Sequence, residues 1–523
     1  MVDTAVFAAC TVVYLAVTMY LGYIGYRQTK NADDFMVAGK RVSPAILALS
    51  YGATFISTSA IVGFGGIAAL YGLGLIWLTV LTIGVGVLIA FVVYGKSIRR
   101  IGGPLNAMTF PDFLGKRFRS PFMQYSTATL ILVSMPLYCA AILIGGAWFI
   151  STTFGLDYNL ALVGFALITA TYVIFGGLIA VMYTDALQGV LMLIGMTFLL
   201  VLTFISIGGV SEGFTTLSNL SPQIPANLQA GGLHSWTAMP DFGSTIWLTL
   251  ITTIVMGVGI GVLAQPQLSV RFLSAKSEKS INRAVAVGGP FILMMTGVAF
   301  TVGPLSNVWF WQNQGQIAIA AAGGIYDNII PLYINSAMPD LFIVVFLLVL
   351  LAAAMSTLSG IFHTMGTAAG YDLFKHIAKR DRPSKRITQI GTLVMIVASV
   401  ALAFVMPPNI IARATAMFMG LCACAFLPAL TYGIYSKRVS AFPAKLSLVA
   451  GALGWFVWAV FVHEAEAKPL GICQALFGQT TLLGAPYTVV DPLIIGLPIA
   501  AVTLVAALAA EAMLDVSPES EAA

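Results

Sequence analysis

Charge is what this sequence has least of. Only 9% of its 523 residues are Asp, Glu, Lys or Arg, against 59% hydrophobic, and the mean hydropathy is +0.95. So little charge cannot cover a water-exposed surface, which excludes a soluble globular protein. Cysteine and histidine are also scarce, at five and four residues. Cys10, Cys139, Cys422, Cys424 and Cys473 sit mostly within apolar runs. Cys422 and Cys424, two apart on a helix, face different ways, so the cysteines are assigned no metal or redox chemistry. No metal or nucleophile motif appears, and His363, Asp185 and Arg413 are widely separated, so an enzyme is not expected.

What is present is apolar length. Runs near 5–26, 43–70, 75–95, 122–153, 158–180, 186–208, 243–268, 284–310, 341–370, 388–406, 410–435, 446–463 and 491–511 are each long enough to cross a bilayer, and predict about thirteen spanning helices. The first run is too long for a signal peptide and has no basic residue before it, so it reads as a retained helix. With Met1 outside, every Lys and Arg except Arg413 and Lys468 falls on one face. Because basic residues stay cytoplasmic, the N-terminus is expected outside and the C-terminus inside. The net charge of +5 follows from that topology and gives no support to a nucleic-acid partner. The tail after Ala510 is short and acidic, with no room expected for a signalling domain.

Two runs read as broken helices. Ser50 to Ser59 mixes hydroxyls into membrane depth and is followed by Gly63, Gly65 and Gly66. Gly257, Gly259 and Gly261 precede Gln265-Pro266-Gln267. Glycine and proline weaken a helix, and a gap frees backbone groups for ligands where it lines a cavity. Each break opens a set of five spans, and an odd count inverts the second set relative to the first. Paired interruptions in two halves point to a midplane site of a secondary transporter. The expected segments are 1–42, a first helix and cytoplasmic linker; 43–240, the first five-helix repeat with its outer loop; 241–440, the inverted second repeat; and 441–523, two accessory helices and the tail.

The third helix of the second set carries Ala353, Ser356, Thr357 and Ser359. Helical spacing lets the Ala353 carbonyl and the Ser356 and Thr357 hydroxyls point at one small volume, a half-cage for a hard cation such as sodium. The alternative is close helix packing, each hydroxyl bonding back to its own helix. Other residues also keep two readings. Asp185 lines a cation route or forms a capping box with Gln188. Tyr138 meets solute or packs. His363 gates or hydrogen-bonds within the core, and Arg413 snorkels or attracts an anionic solute.

The residues resemble the sodium/solute symporter family from about Tyr26 to Ser436. The resemblance rests on Ser50-Tyr-Gly-Ala53-Thr-Phe-Ile56-Ser57, Phe175-Gly-Gly-Leu followed by Asp185, Pro266-Gln-Leu-Ser-Val-Arg271-Phe, Ala352-Ala-Ala-Met-Ser356-Thr357-Leu-Ser359, and Tyr371-Asp372-Leu-Phe. It implies an all-α polytopic membrane protein with a LeuT-like 5+5 inverted repeat. It also implies a sodium site of the Ala53, Ile56 and Ala353 carbonyls with the Ser356 and Thr357 hydroxyls. Asp185 matches a carboxylate tied to sodium affinity or passage. Some relatives hold a second sodium there with two adjacent serines; the matching pair here is Ser359 and Gly360, one hydroxyl short. Phe55 stands where proline carriers have an aspartate, and no polar sugar-binding set is visible.

The expectation is therefore a sodium-coupled symporter in the plasma membrane of a bacterium or archaeon, importing a small organic solute by alternating access, one chain sufficing. Thr54, Phe55, Ser57, Tyr138 and Gln265 are the candidate solute contacts. Exposed amides near Thr54 and Phe55 suit a small monocarboxylate first. Pantothenate, an amino acid or a sugar come next, and a channel is the alternative of another class.

Overall fold

The computed structural model describes residues 4–374, 384–406 and 410–514, and every regular element among them is helical. The basic residues Lys375 to Arg382 and most of the acidic tail lie outside the described residues. Helix is what a chain this apolar must form, since hydrocarbon offers no water to backbone groups and each must bond within its own segment. The starts are legible in the residues: Ser43, Ser120, Ser277 and Ser384 each accept a backbone amide at a helix N-terminus, and Pro44 and Pro121 occupy the first turn.

The principal helices are numbered here in chain order. They are α1 (Thr4–Gln28), α2 (Pro44–Phe55), α3 (Phe64–Tyr71), α4 (Pro121–Phe154), α5 (Tyr158–Ser206), α6 (Gly257–Gly261) and α7 (Pro266–Ser274). After them come α8 (Glu278–Gln314), α9 (Asp340–Thr367), α10 (Lys385–Val405), α11 (Ile411–Tyr435), α12 (Ala441–Phe461) and α13 (Leu493–Met513). Among the described residues, eleven helical runs are long and apolar enough to cross a membrane, where the sequence predicted about thirteen. Two of the eleven are compound. Ser59–Gly102 and Tyr158–Ser206 run for 44 and 49 residues, far beyond the ~20 that a bilayer core needs, and each draws on two predicted spans.

In α5 the division falls at Gly177, whose φ of 60° and ψ of −157° are not helical. The predicted gap was 181–185. The helix instead resumes at Leu178, so Asp185 lies inside the second arm of α5 rather than in a loop between two spans. Only glycine adopts this conformation readily, and a Cβ on Gly177 would stand 2.6 Å from the Phe35 ring.

The two broken helices occur where glycine, proline and hydroxyls cluster. The first pass ends as α2 at Phe55, leaves helical geometry at Ile56 (φ −82°, ψ 95°), and continues through a π-helical turn at Ser59–Gly63 into α3. The second leaves helix at Gln265 (φ −73°, ψ 124°) and restarts at Pro266. Their ends meet at an isolated parallel bridge, with the Val42 amide donating to the Ser274 carbonyl (3.3 Å). Between them lies α9, every residue of which from 351 to 367 is buried. Gly177→Ala should lower stability by about 1–3 kcal/mol, read as a lower thermal-unfolding midpoint of the purified protein in detergent; an unchanged midpoint would mean that the bend relaxes freely.

Candidate functional site

The helix ends at Phe55 because Ser57 offers the chain another arrangement. Its hydroxyl accepts the Ser59 amide (3.1 Å) and its carbonyl accepts the Ala60 amide (3.0 Å). The last carbonyls of α2 thus lose the amides that would have met them one turn later. Helix α9 supplies replacements. Ser356 Oγ donates to the Ala53 carbonyl at 2.8 Å, and Thr357 Oγ1 to the Thr54 carbonyl at 2.9 Å. Both hydroxyls also reach the Ala353 carbonyl of their own helix, at 3.1 and 3.2 Å. Back-bonding within α9 is therefore real but only half of the arrangement. Ile56 is fully buried at the break, beyond the two carbonyls that the hydroxyls meet. A helix C-terminus is the negative end of its dipole, so this gathering of oxygens attracts a cation.

One turn back on α2 lies a buried charge cluster. Asp185 accepts from Arg271 Nη2 (2.8 Å), Ser50 Oγ (2.8 Å) and Thr54 Oγ1 (3.1 Å) on one oxygen, and from Ser359 Oγ (3.0 Å) on the other. Arg271 also donates through Nε to Ser50 Oγ (3.0 Å), through Nη1 to the Gln267 carbonyl (2.5 Å) and through Nη2 to Thr54 Oγ1. Both charged side chains are fully buried. This corrects two sequence readings. Asp185 does not cap a helix with Gln188, whose amide donates instead to the Tyr14 hydroxyl (3.1 Å). Arg271, counted among the cytoplasmic loops, is inside the protein. The available signal was an acid and a base each standing within apolar sequence, where neither is stable without a partner.

Of the five candidate solute contacts, Phe55, Ser57 and Tyr138 stay together, whereas Thr54 and Gln265 turn elsewhere. Phe55 and Ser57 line a small cavity with Phe64, Val258, Phe300, Thr415 and others, with about 20 Å³ of room, enough for a water molecule but not an organic solute. Thr54 turns its side chain to the charge cluster. Gln265 pairs with the amide of Gln267, whereas Tyr138 stacks on Phe418 with ring centroids 5.3 Å apart and keeps its hydroxyl within hydrogen-bonding reach of Ser57. The amides of Thr54 and Phe55 are inside α2 and bonded there, so they are not exposed; the amide-bearing end of the break is at Ser57 to Ser59. Elsewhere, His363 Nε2 meets the Phe35 carbonyl (2.9 Å), and Arg413 is exposed near Asp327 and Tyr326. Burial pushes the Asp327 carboxyl up to about 7, against the opposing effects of the Ile411 backbone and Arg413.

Two broken helices crossing beside an oxygen-lined joint define a secondary transporter of LeuT-like architecture. Solved structures agree on the fold. A sodium-coupled sialic acid symporter in a substrate-bound outward-open state superposes with a TM-score of 0.74 at 20% identity, covering 97% of each chain. A nucleobase-cation-symport-1 family transporter in a closed conformation gives a TM-score of 0.52 at 13% identity, covering 92% of this chain and 95% of that one.

The chain belongs to the sodium:solute symporter family, whose pattern matches residues 35–451. It is 28% identical to the sodium/proline symporter of Escherichia coli (strain K12), covering 86% of this chain and 87% of that protein. To sodium/proline symporter 2 of Staphylococcus saprophyticus it is also 28% identical, covering 90% and 88%. It is thus a multi-pass plasma-membrane transporter that moves a small solute with sodium as the coupling ion.

Removing one partner of a buried ion pair leaves a charge that nothing solvates. Asp185→Ala should therefore cost about 3–5 kcal/mol of stability, measured as a fall in the thermal-unfolding midpoint, and a midpoint within error of the parent would show that the guanidinium finds another partner.

Proposed function

We propose that the transported sodium is held where α2 meets α9, by the carbonyls of Ala53, Ile56 and Ala353 and the hydroxyls of Ser356 and Thr357. The observation that carries this reading is the pair of contacts across the joint, Ser356 to Ala53 at 2.8 Å and Thr357 to Thr54 at 2.9 Å. A hydroxyl is donor and acceptor at once. With its proton on a helix-end carbonyl it closes the joint directly. Turned about its C–O bond, it offers a lone pair to a cation, and the carbonyl it leaves offers another. Contacts to an ion in a dry interior are stronger than those between neutral groups, so sodium tightens α2 against α9.

Sodium entering from outside then favours one arrangement of the two helices, and solute bound beside it favours the same one. Loss of sodium to the cytoplasm weakens that arrangement and releases the solute inward. Coupling is this shared preference, since a ligand that bound both conformations equally would move nothing. Asp185 and Ser359, one turn along, flank the route of the ion. Both sides of the joint come from one chain, so one chain is sufficient.

The solute is a small monocarboxylate on this reading. In support, the cavity beside the break is lined by Phe55, Phe64, Phe300, Ser57, Thr296 and Thr415 among others, with no ionisable side chain. At about 20 Å³ the cavity must widen to admit any organic solute, and once widened its lining suits a small apolar body. An amino acid is the second reading, favoured by relatives named sodium/proline symporters. Against it, no carboxylate lines the cavity to meet an ammonium group. Pantothenate and sugars rank lower. A channel would need no paired breaks and would not saturate.

Uptake of labelled acetate, lactate, pantothenate and proline into vesicles, with and without a sodium gradient, separates these readings. Saturable, sodium-driven accumulation of the short acids is expected; flat uptake of both, with proline accumulating, would transfer the assignment to an amino acid. Ser356→Ala and Thr357→Ala should each raise the sodium concentration for half-maximal uptake roughly tenfold to a hundredfold, the worth of one hydroxyl contact to a charge. Unaltered sodium dependence in both variants would rule out the joint as the ion's seat.

A further inference from the structure

We propose that the groove between the last turns of α1 and the first arm of α5 binds an anionic phospholipid, with one acyl chain in the groove and the headgroup at Arg27 and Lys385. The groove has about 280 Å³ of room and is lined by Met19, Tyr23 and Tyr26 of α1 and by Thr171, Tyr172 and Phe175 of α5, with no charged side chain. Its mouth faces outward, since Tyr23, Tyr26 and Phe175 are half-exposed. Around a chain that spans a bilayer, that outward side is hydrocarbon. A turn of helix, ~10 Å across and ~5 Å long, is larger than this space, so the opening suits an acyl chain better than a helix of a second copy.

The groove is held open. Tyr172 forms its floor, drawn inward because its hydroxyl donates to the Met355 carbonyl of α9 (3.2 Å). Beside it α1 comes close: a Cβ on Gly22 would stand 2.7 Å from the Tyr172 Cβ. The walls are fixed by cations. The Arg27 guanidinium lies 6.0 Å from the Tyr23 ring centroid, and Lys385 Nζ lies 5.3 Å from that of Tyr26 while donating to the Thr29 carbonyl (3.4 Å). A cation over an aromatic face orders both groups. Among the described residues neither cation has a carboxylate partner. Two unpaired positive charges at one end of an apolar groove match a lipid whose headgroup is negative. The basic residues mark this end as cytoplasmic, and the cytoplasmic leaflet is where anionic lipids collect. A neutral lipid would fill the groove and leave both charges unanswered.

The test uses the purified, full-length chain in bilayer nanodiscs, with a phosphatidylglycerol that carries a photoreactive diazirine on one acyl chain. Light should attach it to residues 19–26 and 171–175, located by peptide mass spectrometry. Unlabelled phosphatidylglycerol should compete roughly tenfold to thirtyfold better than phosphatidylcholine, as two basic side chains at a membrane surface predict. Arg27→Gln/Lys385→Gln should bring the two competitors within about twofold of each other while the groove is still labelled. Thr171→Trp, at an exposed position whose indole would fill the groove, should abolish labelling there with both charges intact. Adducts spread evenly over the outer helices, or equal competition by the two lipids in the parent, would overturn the site. So would a preference for phosphatidylglycerol that survives loss of both charges. Absence of adducts in the groove from a chain that elutes as a dimer would give the face to a second copy and overturn the lipid. Should the double variant fail to fold, the parent's adduct positions and competition ratio, with Thr171→Trp, still decide.

Discussion

A helix that stops inside a membrane leaves carbonyl oxygens facing no water, and those oxygens must be met by something. This constraint organises the centre of the transporter. Ser57 diverts the chain from helical geometry, α2 ends at Phe55, and the Ala53 and Thr54 carbonyls turn to the hydroxyls of Ser356 and Thr357. No single-helix solution exists for these oxygens in hydrocarbon. The break therefore binds α2 to α9, and the same groups that close the joint are chemically able to hold a monovalent cation.

The neighbouring ion pair gives that joint its setting. Arg271 and Asp185 come from different helices, α7 and α5, and share Ser50 and Thr54, residues of the helix whose end forms the joint. Movement of α2 cannot leave this pair undisturbed. An interior this dry makes the pair costly to separate, and its contacts tie α2, α7, α9 and the second arm of α5 together.

The cavity beside the break belongs to the same logic. Its aromatic and hydroxyl lining contains no charge, and the charged cluster is not part of it. Thr54 and Phe55 are adjacent in sequence and face the charge cluster and the cavity respectively. Helical geometry rotates neighbouring side chains by about 100°, so a single turn of α2 faces the ion pair, the joint and the cavity at once.

Local chemistry carried much of this in the sequence itself. Apolar length set the membrane class, glycine and proline set the two breaks, and the Ala353 to Ser359 pattern set the hydroxyl face of α9, because each depends on residues within a few turns of one another. The division of α5 was misread by a few residues, since the apolar pattern does not distinguish Gly177 from the polar residues after it; only the backbone conformation does. The residue pattern by itself did not show the partners: the family resemblance placed Ser356 with Ala53, and nothing placed Arg271 with Asp185. Ser356 meets Ala53 across 303 positions of chain, and Arg271 meets Asp185 across 86. Which distant oxygen or charge a buried group finds is decided by how the repeats cross, and that crossing turned Asp185 from a loop residue into half of a buried ion pair.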